Sequence, residues 1–212
     1  MRFIHIGCGL NPLTGFKNYD SNLFLYFKYI PFAENILRLF NFIPSPFIDF
    51  ITLSKTENIN YCDASKKIPL KNNSADLIYS CHVLEHLDWS ESLVFFKEAN
   101  RVLKKKGILR IVVPDFNYLI SKYTKNQDVD KFIYLSCLVG EKPKKIIKKI
   151  QYLIQGHGWH HQMFTSKSIE KFRNLNFDKV IELKPGVTNF NQETSMDLKE
   201  REVGSLYFEF IK

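Results

Sequence analysis

The stretch RFIHIGCGLNPLTGFKNYD, residues 2–20, decides the fold. Its first segment is apolar and stops at Gly7, and its last segment, FKNY, stops at Asp20. Short apolar runs that end at a glycine or an acidic turn residue are typical of buried strands. We therefore expect one strand at 2–6 and a second at 16–19.

The connection between these two strands is unusually short. Only ten residues separate Gly9 from Asp20, whereas a parallel crossover normally takes a dozen or more. The helix expected in such a crossover is therefore missing, or reduced to the loop 10–15.

The rest of the chain alternates strand and helix patterns. Further strands are expected at 58–63, 76–81, 108–114, 180–184 and 206–211. Helices are expected over Trp89–Lys106, ending at Gly107, over most of 116–154, and over 167–175 after a cap at Thr165 or Ser166. This alternation predicts an α/β fold, with a mostly parallel sheet of seven strands flanked by helices. We expect one domain over residues 1–212.

Composition excludes several classes of protein. The chain has 212 residues, a net charge of +8 and four cysteines without CxxC spacing, which argues against a disulfide scaffold and a cysteine-based zinc site. No apolar run is long enough to cross a membrane, and we expect a cytoplasmic protein. The basic charge is local, since 97–149 holds 14 Lys and Arg against 5 Asp and Glu.

An aromatic segment follows the second strand. Residues 21–57 contain nine aromatic residues and three prolines, with few charges. The prolines divide this pattern into helical pieces, so we expect a helical insertion after strand two. It either packs on the sheet as a lid or contacts a lipid-linked acceptor or a membrane, beside the Lys-rich stretch 142–149.

Polar and small residues follow successive predicted strands. They are Gly7-Cys8-Gly9, Asp20, Asp63 and Ser80-Cys81-His82. In open α/β sheets, ligands bind at the carboxyl ends of the strands. A glycine turn exposes backbone N–H groups, one carboxylate can accept both hydroxyls of a ribose, and another can meet an adenine amino group. Together these features favour a nucleoside-type ligand.

Three segments carry a resemblance to a known family. HIGCG (5–9), CDASKKIPLKNNSADLIYSCHVLEHL (62–87) and EANRVLKKKGILRIVVPDF (98–116) resemble the class I S-adenosylmethionine (SAM)-dependent methyltransferases, which have a Rossmann-like fold. The chain is similar, more narrowly, to small methyltransferase type 11-like proteins associated with surface-polysaccharide synthesis. Its segments GFKNYD (15–20), HGWHHQMFTSKSIEKF (157–172) and REVGSLYFE (201–209) match their further motifs.

The resemblance implies SAM as the cofactor and assigns residues to it. Gly7, Cys8 and Gly9 would face its methionine and ribose parts. Asp20 would bind the ribose, and Asp63 and Ala64 would flank the adenine. His82 would lie near the methionine end.

Methyl transfer from a sulfonium depends mainly on positioning the acceptor. A hydroxyl acceptor still benefits from a general base, commonly histidine. The candidates are His82, His157, His160 and Asp115, with His86, His161 and Glu85 nearby in sequence. The HxxHH pattern at 157–161 has no carboxylate at matching spacing, so no metal is assigned.

The sequence thus predicts methyl transfer to an oxygen or nitrogen of a small or sugar-based acceptor. Two alternatives stay open: a SAM-binding module without turnover, and an interaction module on the inner face of a membrane. Nucleic acid is disfavoured as a substrate, because the Asn/Asp-Pro-Pro-aromatic signature for flipped bases is absent after residue 80.

Overall fold

Seven strands form one sheet in the computed structural model, which describes residues 1–39, 44–139, 144, 149 and 158–212. In chain order the strands are β1 (Phe3–Ile6), β2 (Phe16–Asp20), β3 (Asn60–Tyr61), β4 (Ala75–Cys81), β5 (Leu103–Pro114), β6 (Lys179–Leu183) and β7 (Ser205–Ile211). Their order across the sheet is β3-β2-β1-β4-β5-β7-β6. Strands β1 to β5 pair in parallel, and β7 runs antiparallel to both of its neighbours. The predicted fold class is confirmed.

Helices lie between the strands. They are α1 (Ala33–Leu39), α2 (Ser45–Thr56), α3 (Trp89–Val102), α4 (Phe116–Asn126), α5 (Val129–Ser136) and α6 (Ser166–Glu170), with 3-10 turns at Leu23–Tyr29, Leu84–His86 and Lys171–Asn174. As expected, Thr165 caps α6 through its side chain. Among the described residues, no helix combines the length and apolar character needed to span a membrane.

The predicted end of α3 at Gly107 is wrong. The helix stops at Val102, and Leu103 already begins β5 with an extended backbone (ψ 141°). The loop before β4 caps the end of the helix. The N–H groups of Asn73 and Ser74 in this loop donate to the last carbonyls of α3. A glycine cap is therefore unnecessary. Gly107 instead lies inside β5, where the register with β4 is irregular.

Helical pieces are present in the segment 21–57, of which the structure describes all but residues 40–43. Phe24 of the first 3-10 turn packs with Ile48 and Ile51 of α2 and with the buried Cys8. The segment thus has a small apolar core beside the glycine turn. Its role as a lid stays a prediction.

No helix forms between β1 and β2, across residues 7–15, all of which the structure describes. One sheet face beside β1 is instead covered by residues 184–204, which we call the covering loop. Met196 of this loop is buried against the sheet, and the ring of Phe190 contacts that of Phe3 at 5.5 Å. Ser195 Oγ donates to the Thr14 carbonyl at 2.7 Å, which ties the covering loop to the β1–β2 connection.

A buried ion pair anchors the covering loop. Arg110 of β5 faces Glu209 of β7, with 2.9 Å between Nη1 and Oε1, and both side chains are fully buried. Arg110 donates to the Val187 carbonyl at 2.8 Å. Glu209 accepts from the Thr188 hydroxyl and from the backbone and side-chain nitrogens of Asn189. The two charges therefore satisfy loop groups that burial would otherwise leave unpaired.

We expect Glu209→Gln to destabilise the fold strongly. It leaves the Arg110 guanidinium buried without its counter-charge, and breaking a buried pair costs about 3–5 kcal/mol. Urea unfolding of the purified protein measures the change. The control is Asp49→Asn, which removes the exposed pair between Arg38 and Asp49 and should cost about 0–1 kcal/mol. Equal losses in the two variants would contradict the anchoring role.

Candidate functional site

A cleft of about 390 Å³ opens at the carboxyl ends of β1, β2 and β4. It is lined by Gly7, Asp20, Ser21, His82, Val83, His86, Leu87, Gly158, Trp159 and His161. Predicted residues from three separate strand ends thus meet at one place. The segment that begins at residue 158 closes the cleft from the other side.

The glycine turn after β1 contributes the backbone of Gly7 to the wall of this cleft. Gly7 has a φ of +74°, and the N–H groups of Gly7 and Cys8 both donate to the Tyr19 carbonyl, at 2.8 and 3.1 Å. A Cβ on Gly7 would lie 2.1 Å from Cγ2 of Val83. Only glycine fits here, because any side chain would collide with Val83 in a backbone conformation that L residues rarely adopt.

Asp20 is held by backbone donors. Its Oδ2 accepts from the N–H of Gly9 and its Oδ1 from the N–H of Asn22, both at 2.8 Å. Burial raises the pKa of the Asp20 carboxyl above its ordinary value, although these hydrogen bonds act in the opposite direction. The carboxylate is thus fixed in orientation, and each oxygen keeps a lone pair for a further donor.

Three other predicted cofactor residues contribute differently. The Cys8 side chain is buried in the core beside α2, and burial raises the pKa of its thiol, so its sulfur does not face the cleft. Ala64 is buried in the main core. Asp63 accepts from the N–H and hydroxyl of Ser65 and pairs with Lys66 at 2.9 Å. Burial raises the pKa of Asp63, but these donors outweigh it and hold the pKa below its ordinary value.

His82 follows β4 directly and lines the cleft. Its backbone has a φ of +52°, an uncommon conformation for a residue other than glycine. Its Nδ1 lies 3.1 Å from Oε1 of the buried Glu85, and its Nε2 lies 3.0 Å from the hydroxyl of Ser205. Both ring nitrogens therefore have neighbours that fix the orientation of the ring.

The other catalytic candidates occupy different places. The His160 Nε2 lies 3.9 Å from Oε1 of Glu85, and burial lowers the pKa of His160, with the Glu85 charge acting in the opposite direction. Asp115 caps α4 by accepting from the Asn117 N–H and is not among the described residues that line the cleft. His157 lies outside the described residues.

The sequence did not predict the contacts that Ser205 and Trp159 make in the site. Ser205 lies inside the segment 201–209 that the resemblance quotes, yet nothing in its spacing points to His82. Trp159 lines the cleft and its carbonyl faces Nδ1 of His86 at 3.1 Å. Both contacts join segments more than 70 residues apart, so the fold creates them.

Part of the chain is similar to a known protein family. Residues 47–111 match a family described as methyltransferase domain. No curated protein sequence matches the chain.

Solved structures share the fold at low identity. A SAM-dependent methyltransferase from Archaeoglobus fulgidus is 14% identical over 100% of this chain and 86% of its own, with a TM-score of 0.51. One from Thermotoga maritima is 16% identical over 100% and 82%, with a TM-score of 0.49. One from Methanosarcina mazei is 17% identical over 99% and 90%, also at 0.49. The similarity to the Archaeoglobus fulgidus structure shows that the sheet has the Rossmann-like methyltransferase fold.

Proposed function

We propose that this chain, whose residues 47–111 match a methyltransferase domain, binds SAM and transfers its methyl group to an acceptor. The observation that carries the proposal is the cleft in which Gly7, Asp20 and His82 lie together at three strand ends. In open α/β sheets this edge is where nucleoside ligands bind.

Asp20 is the proposed ribose ligand. Its two oxygens are oriented by the N–H groups of Gly9 and Asn22, and each retains an acceptor position. The two hydroxyls of a ribose can donate to one carboxylate of this kind. Gly7, Cys8 and Gly9 would then lie along the methionine and ribose parts through their backbone.

The remaining contacts follow from the order of the strands. Asp63 and Ala64 follow β3, next to β2 in the sheet, and are the proposed neighbours of the adenine. His82 follows β4, on the other side of β1, and is proposed to lie at the methionine end. The cofactor would therefore extend across the carboxyl edge from β3 to β4.

The reaction needs little covalent help from the protein. A lone pair on the acceptor oxygen or nitrogen attacks the methyl carbon while the carbon–sulfur bond breaks. The electron pair stays on sulfur, S-adenosylhomocysteine (SAH) is released, and the acceptor loses its proton to a base or to water. Alignment of donor and acceptor supplies most of the rate. His82, His160, His157 and Asp115 are the proposed candidates for the base.

The proposed acceptor is a small molecule or a sugar-based compound, including one used in surface polysaccharide. A screen with radiolabelled SAM against nucleotide sugars and small amines tests this class by label transfer. Binding of SAM without transfer to any of them would favour the alternative, a SAM-binding module without turnover.

We expect Asp20→Ala to weaken SAM and SAH binding by at least about tenfold. Each hydrogen bond to a charged group contributes about 1.5–3 kcal/mol, and the variant removes two from the ribose. Isothermal titration calorimetry measures the dissociation constants. Asp128→Ala is the control, because its carboxylate caps α5 outside the described cleft wall and should leave binding unchanged. A folded wild-type protein that binds neither compound would overturn the proposed function.

We also expect SAH binding to weaken at acidic pH. Ribose hydroxyls donate to the ionised form of Asp20, and burial raises the pKa of this carboxyl. Affinity should therefore begin to fall at a pH above the ordinary aspartate range of about 3.9, and should fall further as the pH decreases. Calorimetry over a pH series measures the slope. Asp20→Asn does not titrate and should bind weakly with a flatter profile; parallel slopes would argue against Asp20 as the ribose ligand.

Peripheral contact with a membrane is a second proposal, because large apolar side chains in the first helical pieces face solvent. Tyr29 is 73% exposed, Phe32 71% and Leu39 78%. Aromatic side chains at such a surface suit a lipid interface. The stretch 142–149, also proposed to contribute, lies outside the described residues except at 144 and 149.

We expect the wild-type protein to sediment with anionic liposomes and the double variant Tyr29→Ser, Phe32→Ser to do so much less. The variant removes two apolar anchors without burying a polar group. Neutral liposomes and the double variant Lys17→Ser, Lys122→Ser, which alters two lysines outside 21–57 and 142–149, are the controls. Sedimentation no greater than with neutral lipid would remove this proposal.

A further inference from the structure

Glu85 is a buried carboxylate whose oxygens form no hydrogen bond of good geometry with the described residues, although a histidine nitrogen lies close to one of them. It lies in the 3-10 turn after β4, and its side chain is fully buried. Its close neighbours are imidazole nitrogens, Nδ1 of His82 at 3.1 Å and Nε2 of His160 at 3.9 Å. A buried charge in this state is costly unless a cation compensates it.

Of the three histidines around this carboxylate, His86 and His160 form a cluster of possible metal ligands with it. A ring nitrogen of His86, a ring nitrogen of His160 and an oxygen of Glu85 all lie within 4.8 Å of one another. Nδ1 of His86 lies 3.1 Å from the Trp159 carbonyl, which can only accept, so this nitrogen carries the proton. The lone pair of His86 is then on Nε2. A histidine that donates one N–H to a backbone carbonyl and offers the other nitrogen is the usual form of a metal ligand.

Backbone hydrogen bonds hold the two segments together. The Glu85 carbonyl accepts from the N–H groups of His161 and Gln162, at 2.6 and 3.2 Å. The Gln162 side chain donates to the Leu87 carbonyl and to the Ser92 hydroxyl, at 2.6 and 2.8 Å. The turn that carries Glu85 and His86 is thus clamped to the segment that carries His160. The backbones of the two segments are therefore held at a fixed separation.

We propose that Glu85, His86 and His160 bind a divalent transition-metal ion such as Zn²⁺. Two imidazoles and one carboxylate suit zinc and its neighbours in the first transition series better than Mg²⁺ or Ca²⁺, which prefer oxygen ligands. Ligands about 2 Å from one ion require the donors to approach further, which the exposed His86 can do by side-chain rotation. Three protein ligands leave a coordination position open, as in catalytic zinc sites.

The open position would face the cleft, since His86 is part of its lining. There the ion would bind and polarise the acceptor oxygen of the proposed methyl transfer. This role excludes His160 as the general base, because its Nε2 lone pair would be used for coordination. The role in transfer rests on the proposed function, whereas ion binding itself does not.

The experiment is calorimetric titration of Zn²⁺ into the chelator-treated full chain without SAM. One ion per chain is expected, with affinity reduced at least about tenfold in His86→Ala and in His160→Ala. Mg²⁺ should bind more weakly. Replacement by Co²⁺ should give visible d–d bands that both variants lose. Glu85→Gln should reduce binding too, and the histidine variants keep the test valid if this buried substitution unfolds the protein.

Matched controls separate this site from other zinc ligands. His161→Ala changes a cleft histidine outside the three-ligand cluster, and Cys137→Ser removes the exposed thiol. Both should bind Zn²⁺ like the wild type. No Zn²⁺ binding by the wild type, or equal loss in His161→Ala and His160→Ala, would overturn the site. Zn²⁺ binding by a protein that binds no SAH would uphold it while rejecting the methyltransferase proposal.

Discussion

Nine residues join β1 to β2, and this short connection shapes the rest of the molecule. A helix in the connection would cover the sheet face beside β1, and without it the chain must supply another cover. The covering loop, residues 184–204, does so from the opposite end of the sequence. A loop buried against a sheet brings backbone groups that need partners, which explains why a charged pair lies in an apolar layer.

Much of the fold follows from the sequence because the strands are short, apolar and bounded by turn residues. The strand ILRIVVP and the parallel pattern up to it are examples. The end of α3 could not be predicted, since the residues that cap its last carbonyls come from the loop before β4. The role of Arg110 was equally hidden: the run ILRIVVP around it predicts a strand, but its partner Glu209 is 99 residues away.

The meeting of the strand-end residues at one cleft was predictable for the same reason. Gly7, Asp20 and His82 each follow a strand that the sequence identifies, and parallel topology brings strand ends together. For the other wall of the cleft, the sequence indicated the histidines of 157–161 but not their contact with Glu85. The segment after residue 158 belongs to no strand, and its partner Glu85 follows β4, so a search for a carboxylate near His160 in sequence finds none.

The distance in sequence between β1 and its cover has a consequence during synthesis. Phe3 and Phe16 emerge from the ribosome long before Phe190 and Met196, which pack against the same sheet face. Until residues 184–211 have been made, that face stays open to water and to other chains. The amino-terminal half therefore cannot complete its own core until the last strand, β7, pairs with β5.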